Sequence, residues 1–291
     1  MYIILGATGH VGSAVAKSLL QEGKEVIVVT RSTEKAAEWE KRGARVAVVD
    51  IHQKNAFRKV LQKGSRLFLL NPPAPPNSDT VQEEMASIAA IFQALEGSGI
   101  EKVVAESTYG AQPGIGIGDL GVLYDMEQGL HKLDIPVSII RAGYYMSNWD
   151  SAYDSVVKEG KLYSFFPPDH RLGMVAPQDI GKVAARLLMA PTSDIGLHYV
   201  EGPQLYSPGD VAAAFGKALG KTIEVVPIPP DQWESAMQQA GFSPKAAASM
   251  AAMTRIVIGA DFEVAKNPIR GVTTIEEYVR EMIDQQQGQP A

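Results

Sequence analysis

The first twelve residues constrain the fold most. Met1 to Leu5 is a short apolar run, and Gly6-Ala7-Thr8-Gly9-His10-Val11-Gly12 follows it directly. Val11, Val15, Leu19 and Leu20 then recur at helical spacing until Gly23 stops the pattern. A buried strand, a glycine turn and a helix in that order open a βαβ unit, whose helix start presents free backbone N–H groups to phosphate. Gly6 lets the chain turn sharply, Gly9 lets the backbone approach a pyrophosphate, and Gly12 lets the helix pack closely on the strand. Thr8, His10 and Val11 share the loop as cofactor-facing positions. His10 either touches the pyrophosphate or is a solvent-exposed helix-start residue. The spacing is G-x-x-G-x-x-G rather than G-x-G-x-x-G. Its place between strand and helix is what marks it as a dinucleotide loop.

The chain continues as alternating elements. Apolar, β-branched runs at 25–30, 45–50, 66–71, 101–106 and 137–141 predict strands, and the patterns at 33–41, 55–62, 80–97 and 120–133 predict helices. Such alternation requires a parallel sheet with helices on both faces, so the fold class is α/β, a Rossmann-type doubly wound sheet. The second half is less regular. Helices are expected at 177–189, at 208–219 with Ser207 as cap, at 232–254 with a break near 241–244, and at 274–287 capped by Thr273 or Thr274. Extended segments fall at 198–201 and 223–227. Residues 1–150 are assigned to the dinucleotide-binding core, with 176–215 returning to the sheet. Residues 151–175 and 216–291 form a smaller substrate-binding region. The polar tail 285–291 is expected to fray.

The second strand ends at Thr30-Arg31, where an acidic residue would ordinarily hold a ribose 2′-hydroxyl. Arg31 stands there instead, with Lys35 one helical turn on, and a guanidinium fork suits a dianionic 2′-phosphate. NADP(H) is therefore expected over NAD(H). Asp50, ending the third strand, either bonds the adenine amino group or is a plain strand-end carboxylate.

Composition removes other classes. The 291 residues include no cysteine, which excludes thiol nucleophiles, thiolate metal sites and disulfides. The five histidines are scattered without metal-ligand spacing, so no metal site is expected. Net charge is −6 and no Lys/Arg block stands out, which gives no footprint for nucleic acid. The first apolar run is too short for a signal peptide or membrane span, and the expected location is the cytoplasm. Oligomeric state is not legible.

Residues 1–12, the stretch Arg141-Ala142-Gly143-Tyr144-Tyr145-Met146-Ser147-Asn148 and Asp179-Ile180-Gly181 together resemble the NmrA-like group of atypical short-chain dehydrogenases. That group comprises NADPH-dependent quinone, azo-dye and triphenylmethane reductases, and redox-sensing regulators that bind the dinucleotide without turning it over. The resemblance implies that Asn71 and Pro72 lie along the cofactor's ribose and pyrophosphate. It implies that Ser107 and Thr108 sit near the nicotinamide, that Tyr144 and Tyr145 line the substrate side, and that Asn148 points a carboxamide into the same cleft.

One departure matters. Short-chain dehydrogenases of the usual kind carry Tyr-x-x-x-Lys on the helix before strand six. Here Leu120 takes the tyrosine place and Tyr124 the lysine place, and no tyrosine is followed four residues later by lysine. Tyr124 still has a hydroxyl to offer the cofactor but no positive charge. Tyr109, in a glycine-rich loop after strand five, is either a proton donor or substrate clamp, or a loop aromatic packed on the second region. Phe165 and Phe166 either wall an apolar pocket or are a core pair. The run 246–253 reads as a packed helix. The expected function is NADPH-dependent hydride transfer to a small quinone-like or other conjugated acceptor. Asn148, Tyr145 and Tyr109 are the candidate hydrogen-bonding groups. The alternative is a non-catalytic NADP(H) sensor acting through a protein partner.

Overall fold

The computed structural model describes residues 1–288. The part of the polar tail beyond Gly288 lies outside the described residues; helix holds as far as Gln287. In chain order the first half runs β1 (Tyr2–Ile4), α1 (His10–Gln21), β2 (Val26–Thr30), α2 (Thr33–Lys41), β3 (Arg45–Val48), α3 (Lys54–Leu61), β4 (Arg66–Leu69), α4 (Thr80–Leu95), β5 (Lys102–Thr108), α5 (Asp119–Leu130) and β6 (Val137–Ala142). The second half runs β7 (Tyr144–Tyr145), a 3₁₀ segment (Met146–Ala152), α6 (Tyr153–Glu159), β8 (Lys161–Ser164), β9 (Met174–Val175), α7 (Pro177–Met189) and β10 (Gly196–Glu201). It continues through α8 (Pro208–Leu219), β11 (Glu224–Pro227), α9 (Trp233–Gln239), α10 (Pro244–Gly259), β12 (Ile269–Arg270) and α11 (Ile275–Gln287).

Eight strands form one sheet in the order β12-β10-β6-β5-β4-β1-β2-β3, and its pairings are parallel. The doubly wound sheet expected from the alternation is what the chain adopts. The two-residue period of the strands sorts its side chains cleanly. Ile4, Val26, Val28, Phe68, Val104 and Ile140 pack under α1 and α7 on one face. Ile3, Ile27, Leu67, Leu69, Val103 and Ile139 pack under α3, α4 and α5 on the other. With both faces covered, the central strands β1, β2 and β4 are near-continuous apolar runs.

The second half builds further cores. Trp149, Phe166, Tyr206, Phe215 and Tyr278 belong to one, and Trp233, Met237, Ala247 and Ala251 to another. Phe166 is thus a core aromatic, stacked on His170, and Phe165 packs edge-on against Trp233. Two short parallel ribbons, β7–β9 and β8–β11, stand outside the main sheet. β11 matches the extended segment expected at 223–227, while β7, β8, β9, α6 and β12 are too short to leave a periodic signature. Ser207 caps α8 in a capping box with Asp210, and Thr274 caps α11 in one with Glu277. No helix among the described residues is long and apolar enough to cross a membrane.

Candidate active site

The strand order reverses between β1 and β4. Chain segments leave this switch point in opposite directions, and a cleft of about 810 Å³ opens at the carboxyl ends of the strands. Every residue lining it falls between Leu5 and Ser147. The region expected to bind substrate supplies none, but it does brace a wall. Pro72, Pro73, Ala74 and Pro75 line the cleft after β4. The N-terminus of α10 grips the chain just beyond them: Ser243 N donates to Pro76 O at 2.9 Å, Ser243 Oγ to Ser78 O at 2.7 Å, and Lys245 Nζ meets Asp79 at 2.8 Å.

At one end of the cleft, Arg31 follows β2 as an exposed cation and Asp50 follows β3. Asp50 Oδ1 accepts from His52 N at 2.9 Å, which fixes the turn into α3. Lys35 lies on the first turn of α2, where its backbone N–H donates to Ser32 Oγ; its side chain is exposed and does not line the cleft.

The glycine loop forms the middle. Gly6 has φ +68°, and a Cβ there would strike Leu70. A Cβ on Gly12, which is buried behind the loop, would strike the Gly6 carbonyl. Gly9 differs from both. Its φ is −106°, and a Cβ would meet only Gly6 O at an ordinary 3.5 Å. The protein's own packing does not require glycine at 9, whereas a ligand lying against the loop would. Gly9 also starts α1 with no side-chain cap, so the first-turn N–H groups are left for an outside acceptor. Thr8, His10 and Val11 line the same stretch, and His10 Nε2 lies 3.7 Å from Asp150. Asn71 is buried in the lining with Oδ1 lacking a partner, an acceptor suited to a sugar hydroxyl. An uncapped helix start, open space over Gly9 and an orphaned amide oxygen fit a dinucleotide's pyrophosphate and ribose.

At the other end, Glu84 of α4, Glu106 and Ser107 of β5, Asp119 of α5 and Tyr145 of β7 line the cleft. The Tyr145 hydroxyl and Glu106 Oε1 are hydrogen-bonded at 2.9 Å. Glu106 is 2% exposed, and its Oε2 has no partner. Burial pushes the Glu106 carboxyl up to about 8, against the opposing effect of the Tyr145 hydrogen bond. Burial and the neighbouring Glu106 charge hold the Tyr145 hydroxyl well above its ordinary range. Glu84 accepts from Ala74 N at 3.1 Å. Burial first, and the charge of Asp119 second, raise its carboxyl. Asp119 is open to solvent at the cleft mouth yet hemmed in by protein, and its carboxyl is raised as well. The two titrate as a pair that retains a proton more readily than isolated carboxyls.

A buried ion pair frames this end. Arg141 of β6 forks onto Glu127 of α5, Nε to Oε1 at 2.9 Å and an Nη to Oε2 at 2.6 Å. Ser107 Oγ donates to the same Glu127 Oε1 at 2.5 Å. A bidentate pair of this kind fixes α5 against the ends of β5 and β6.

Besides Lys35, five residues expected at the site stand elsewhere. Thr108 Oγ1 donates to Tyr109 O. Tyr109 donates to Glu201 Oε1 at 2.6 Å, lies edge-on to Tyr199, and Glu201 also binds Arg270. That ties Tyr109 to the β10 side of the sheet, the packing role of its two alternatives. Tyr124 is half-buried on α5, outside the lining. Tyr144 packs against Trp149 and Phe166. Asn148 is exposed, lies beside the Tyr144 hydroxyl and is absent from the cleft lining. The reason is the 3₁₀ segment after β7, which turns Ser147 to the cleft and carries Asn148 away from it. Glu84, Glu106 and Asp119 were not anticipated. Glu106 carried a signal, a carboxylate directly after the apolar run 103–105 of a buried strand. Glu84 and Asp119 sit on helices where a carboxylate is unremarkable in sequence.

A family model described as the NmrA-like family matches residues 2–279. An NAD(P)H azoreductase of Xenophilus azovorans is 27% identical over 251 residues, covering 86% of this chain and 85% of that one. A nitrogen metabolite regulation-like protein of Gibberella fujikuroi is 26% identical over 250 residues, covering 80% and 70%. Among solved structures, Citrobacter sp. triphenylmethane reductase complexed with NADP(H) superposes with a TM-score of 0.81 at 18% identity, covering 97% and 99%. The NADPH-dependent quinone oxidoreductase of Escherichia coli complexed with NADPH gives 0.79 at 19% identity, covering 97% and 100%. With its parallel sheet, its switch-point cleft and a match over nearly its whole length, the chain belongs to the NmrA-like family.

Proposed function

We propose that this chain is an NADP(H)-dependent reductase of a small conjugated acceptor, quinone-like or dye-like, acting in the cytoplasm. One observation carries the reading. A single cleft holds Arg31 at one end, an uncapped helix start with open space over Gly9 in the middle, and a hydroxyl–carboxyl pair at the other end. Arg31 binds the 2′-phosphate, the start of α1 holds the pyrophosphate, and Asn71 takes a sugar hydroxyl. NADPH, when bound, supplies the hydride. Tyr145 hydrogen-bonds the acceptor heteroatom on which charge develops. A conjugated acceptor spreads the incoming charge, so the missing Tyr-x-x-x-Lys pair does not bar the reaction. The relatives named for azo, triphenylmethane and quinone substrates support this class of acceptor.

The test is a screen of NADPH oxidation against quinones, azo dyes, triphenylmethane dyes and simple ketones, with affinities for NADPH and NADP⁺ measured alongside. Conjugated acceptors are expected to turn over and simple ketones not. If no acceptor is reduced and the two cofactor forms differ in affinity, the sensor reading replaces this one, in keeping with the nitrogen metabolite regulation-like protein among the relatives.

A further inference from the structure

We propose that Glu106 is a positioning and proton-relay residue: its carboxyl proton sits on Oε1 in the hydrogen bond to Tyr145, which turns the Tyr145 O–H into the cleft to protonate the reduced acceptor. This rests on the reduction reading above. The geometry selects the arrangement. Oε1 is 2.9 Å from the Tyr145 hydroxyl, while Oε2 is buried with no partner. Were Tyr145 to donate to Oε1, the carboxylic acid proton would sit on Oε2 as a buried, unpaired O–H. Orphaned buried donors are rarer in proteins than under-satisfied carbonyl oxygens. Were Glu106 ionised, a buried charge would be left with a single hydrogen bond, which is costlier still. With the proton on Oε1, Oε2 is a carbonyl oxygen, Tyr145 accepts from Glu106, and the Tyr145 O–H is free to face the cleft that both residues line.

The burial that lifts the Glu106 carboxyl to about 8 keeps it protonated at neutral pH, as the arrangement requires. It also compensates for the departure found in the sequence. Where a lysine would make a tyrosine more acidic, Leu120 and Tyr124 stand instead. A neutral acid donating to the Tyr145 oxygen compensates by a different route: it resupplies a proton as the tyrosyl oxygen loses its own, so no tyrosinate need form although the hydroxyl sits well above its ordinary range.

Hydride from NADPH carries two electrons to the acceptor and leaves an electron pair on the acceptor oxygen. The Tyr145 O–H bond breaks as the acceptor O–H bond forms. The Glu106 Oε1–H bond breaks as the Tyr145 O–H bond re-forms. Glu106 is left as a buried carboxylate, and it recovers a proton from cleft water through Tyr145 after product leaves. The sum is acceptor, NADPH and one proton giving reduced acceptor and NADP⁺.

Two measurements on the full chain test this. The first needs no turnover: infrared difference spectra between pH 6.5 and pH 10 (working values, about 1.5–2 pH units either side of the Glu106 midpoint). A protonated-carboxyl C=O band should be lost with a midpoint about 8, should be missing in Glu106→Gln, and should persist in Glu84→Gln. In Tyr145→Phe its midpoint should rise, because the ionised carboxylate loses the Tyr145 O–H that would turn to donate to it. That variant keeps the test decisive if Glu106→Gln fails to fold. The second is the pH dependence of quinone reduction. Wild-type rates should fall as pH rises through about 8. Glu106→Gln should be slower at pH 7 by about 10- to 100-fold, the lower part of the range for general acid catalysis, and should lose that fall. No carboxyl band assignable to Glu106, or an unchanged rate and profile in Glu106→Gln, overturns the relay. An absence of turnover with every acceptor overturns the reduction reading instead, and the infrared band then reports the Glu106 proton separately.

Discussion

At the Arg31 end and middle of the cleft, the groups offered to a ligand are backbone N–H donors and one long cation from the β1–α1–β2 unit, with the Asn71 amide oxygen after β4 beside them. At the Tyr145 end they are side chains from α4, β5, α5 and β7, three of them carboxyls raised above their ordinary range. The first end needs only local chain geometry, because a tight turn and an uncapped helix start make an anion site by themselves. The second needs tertiary assembly, because its acids matter only through what burial and neighbours do to them. Binding and chemistry are therefore separable along one cleft, and variants at either end should leave the other largely intact.

The largest effect is expected at the loop. Gly9→Val should weaken NADPH binding by about 100-fold or more, equivalent to ~2.7 kcal/mol, through collision with the pyrophosphate. The free protein has room for a Cβ at this position, so its melting temperature should change little. A folded Gly9→Val chain with wild-type NADPH affinity breaks the comparison at its binding end.

The next effect is at the acid end and is read in stability. Glu106 titrates near 4.5 in an unfolded chain and about 8 in the fold. Between those values the unfolded chain releases a proton that the folded chain keeps, so stability falls as pH rises from about 5 to about 8. Glu84 acts in the same direction. Urea unfolding at pH 5.5 and at pH 8.5 should show a loss of up to a few kcal/mol, since each pH unit between the two titrations costs about 1.4 kcal/mol. Glu106→Gln should remove a large part of that loss. A wild-type chain equally stable at both pH values contradicts the buried protonated acid.

The two ends were not equally legible in the sequence. The parallel sheet followed from alternating apolar runs, and the loop followed from three glycines between a strand and a helix. Arg31 stood out because it occupies a position ordinarily given to a carboxylate. Tyr145 was reached through the family resemblance, but its partner Glu106 was not, since no spacing rule links β5 to β7. Asn148 was expected in the cleft from the same stretch; the 3₁₀ turn at Met146–Ala152 moves it out, and seven residues with few apolar positions give no warning of such a turn. Tyr109 was placed beside a glycine-rich loop, while its hydroxyl is taken by Glu201, 92 positions further along the chain.

A smaller effect sharpens the binding end. Arg31→Ala should cost NADPH about 1.5–3 kcal/mol, the scale of a hydrogen bond to a charged group, and leave NADH affinity nearly unchanged. Equal losses for both cofactors would mean that Arg31 does not meet the 2′-phosphate. The smallest effects are expected at Asn148 and Tyr109. Asn148→Ala and Tyr109→Phe should change quinone turnover by less than about threefold, whereas Tyr145→Phe should lower it by about 10-fold or more. Similar losses in all three would place the acceptor on the other side of β7.

Calorimetric titration of the wild-type chain with NADPH and with NADH tests the cleft assignment most directly. One NADPH per chain is expected, bound about 10- to 100-fold more tightly than NADH, the ratio that one charge-assisted contact supports. Binding of neither dinucleotide, or tighter binding of NADH, contradicts it.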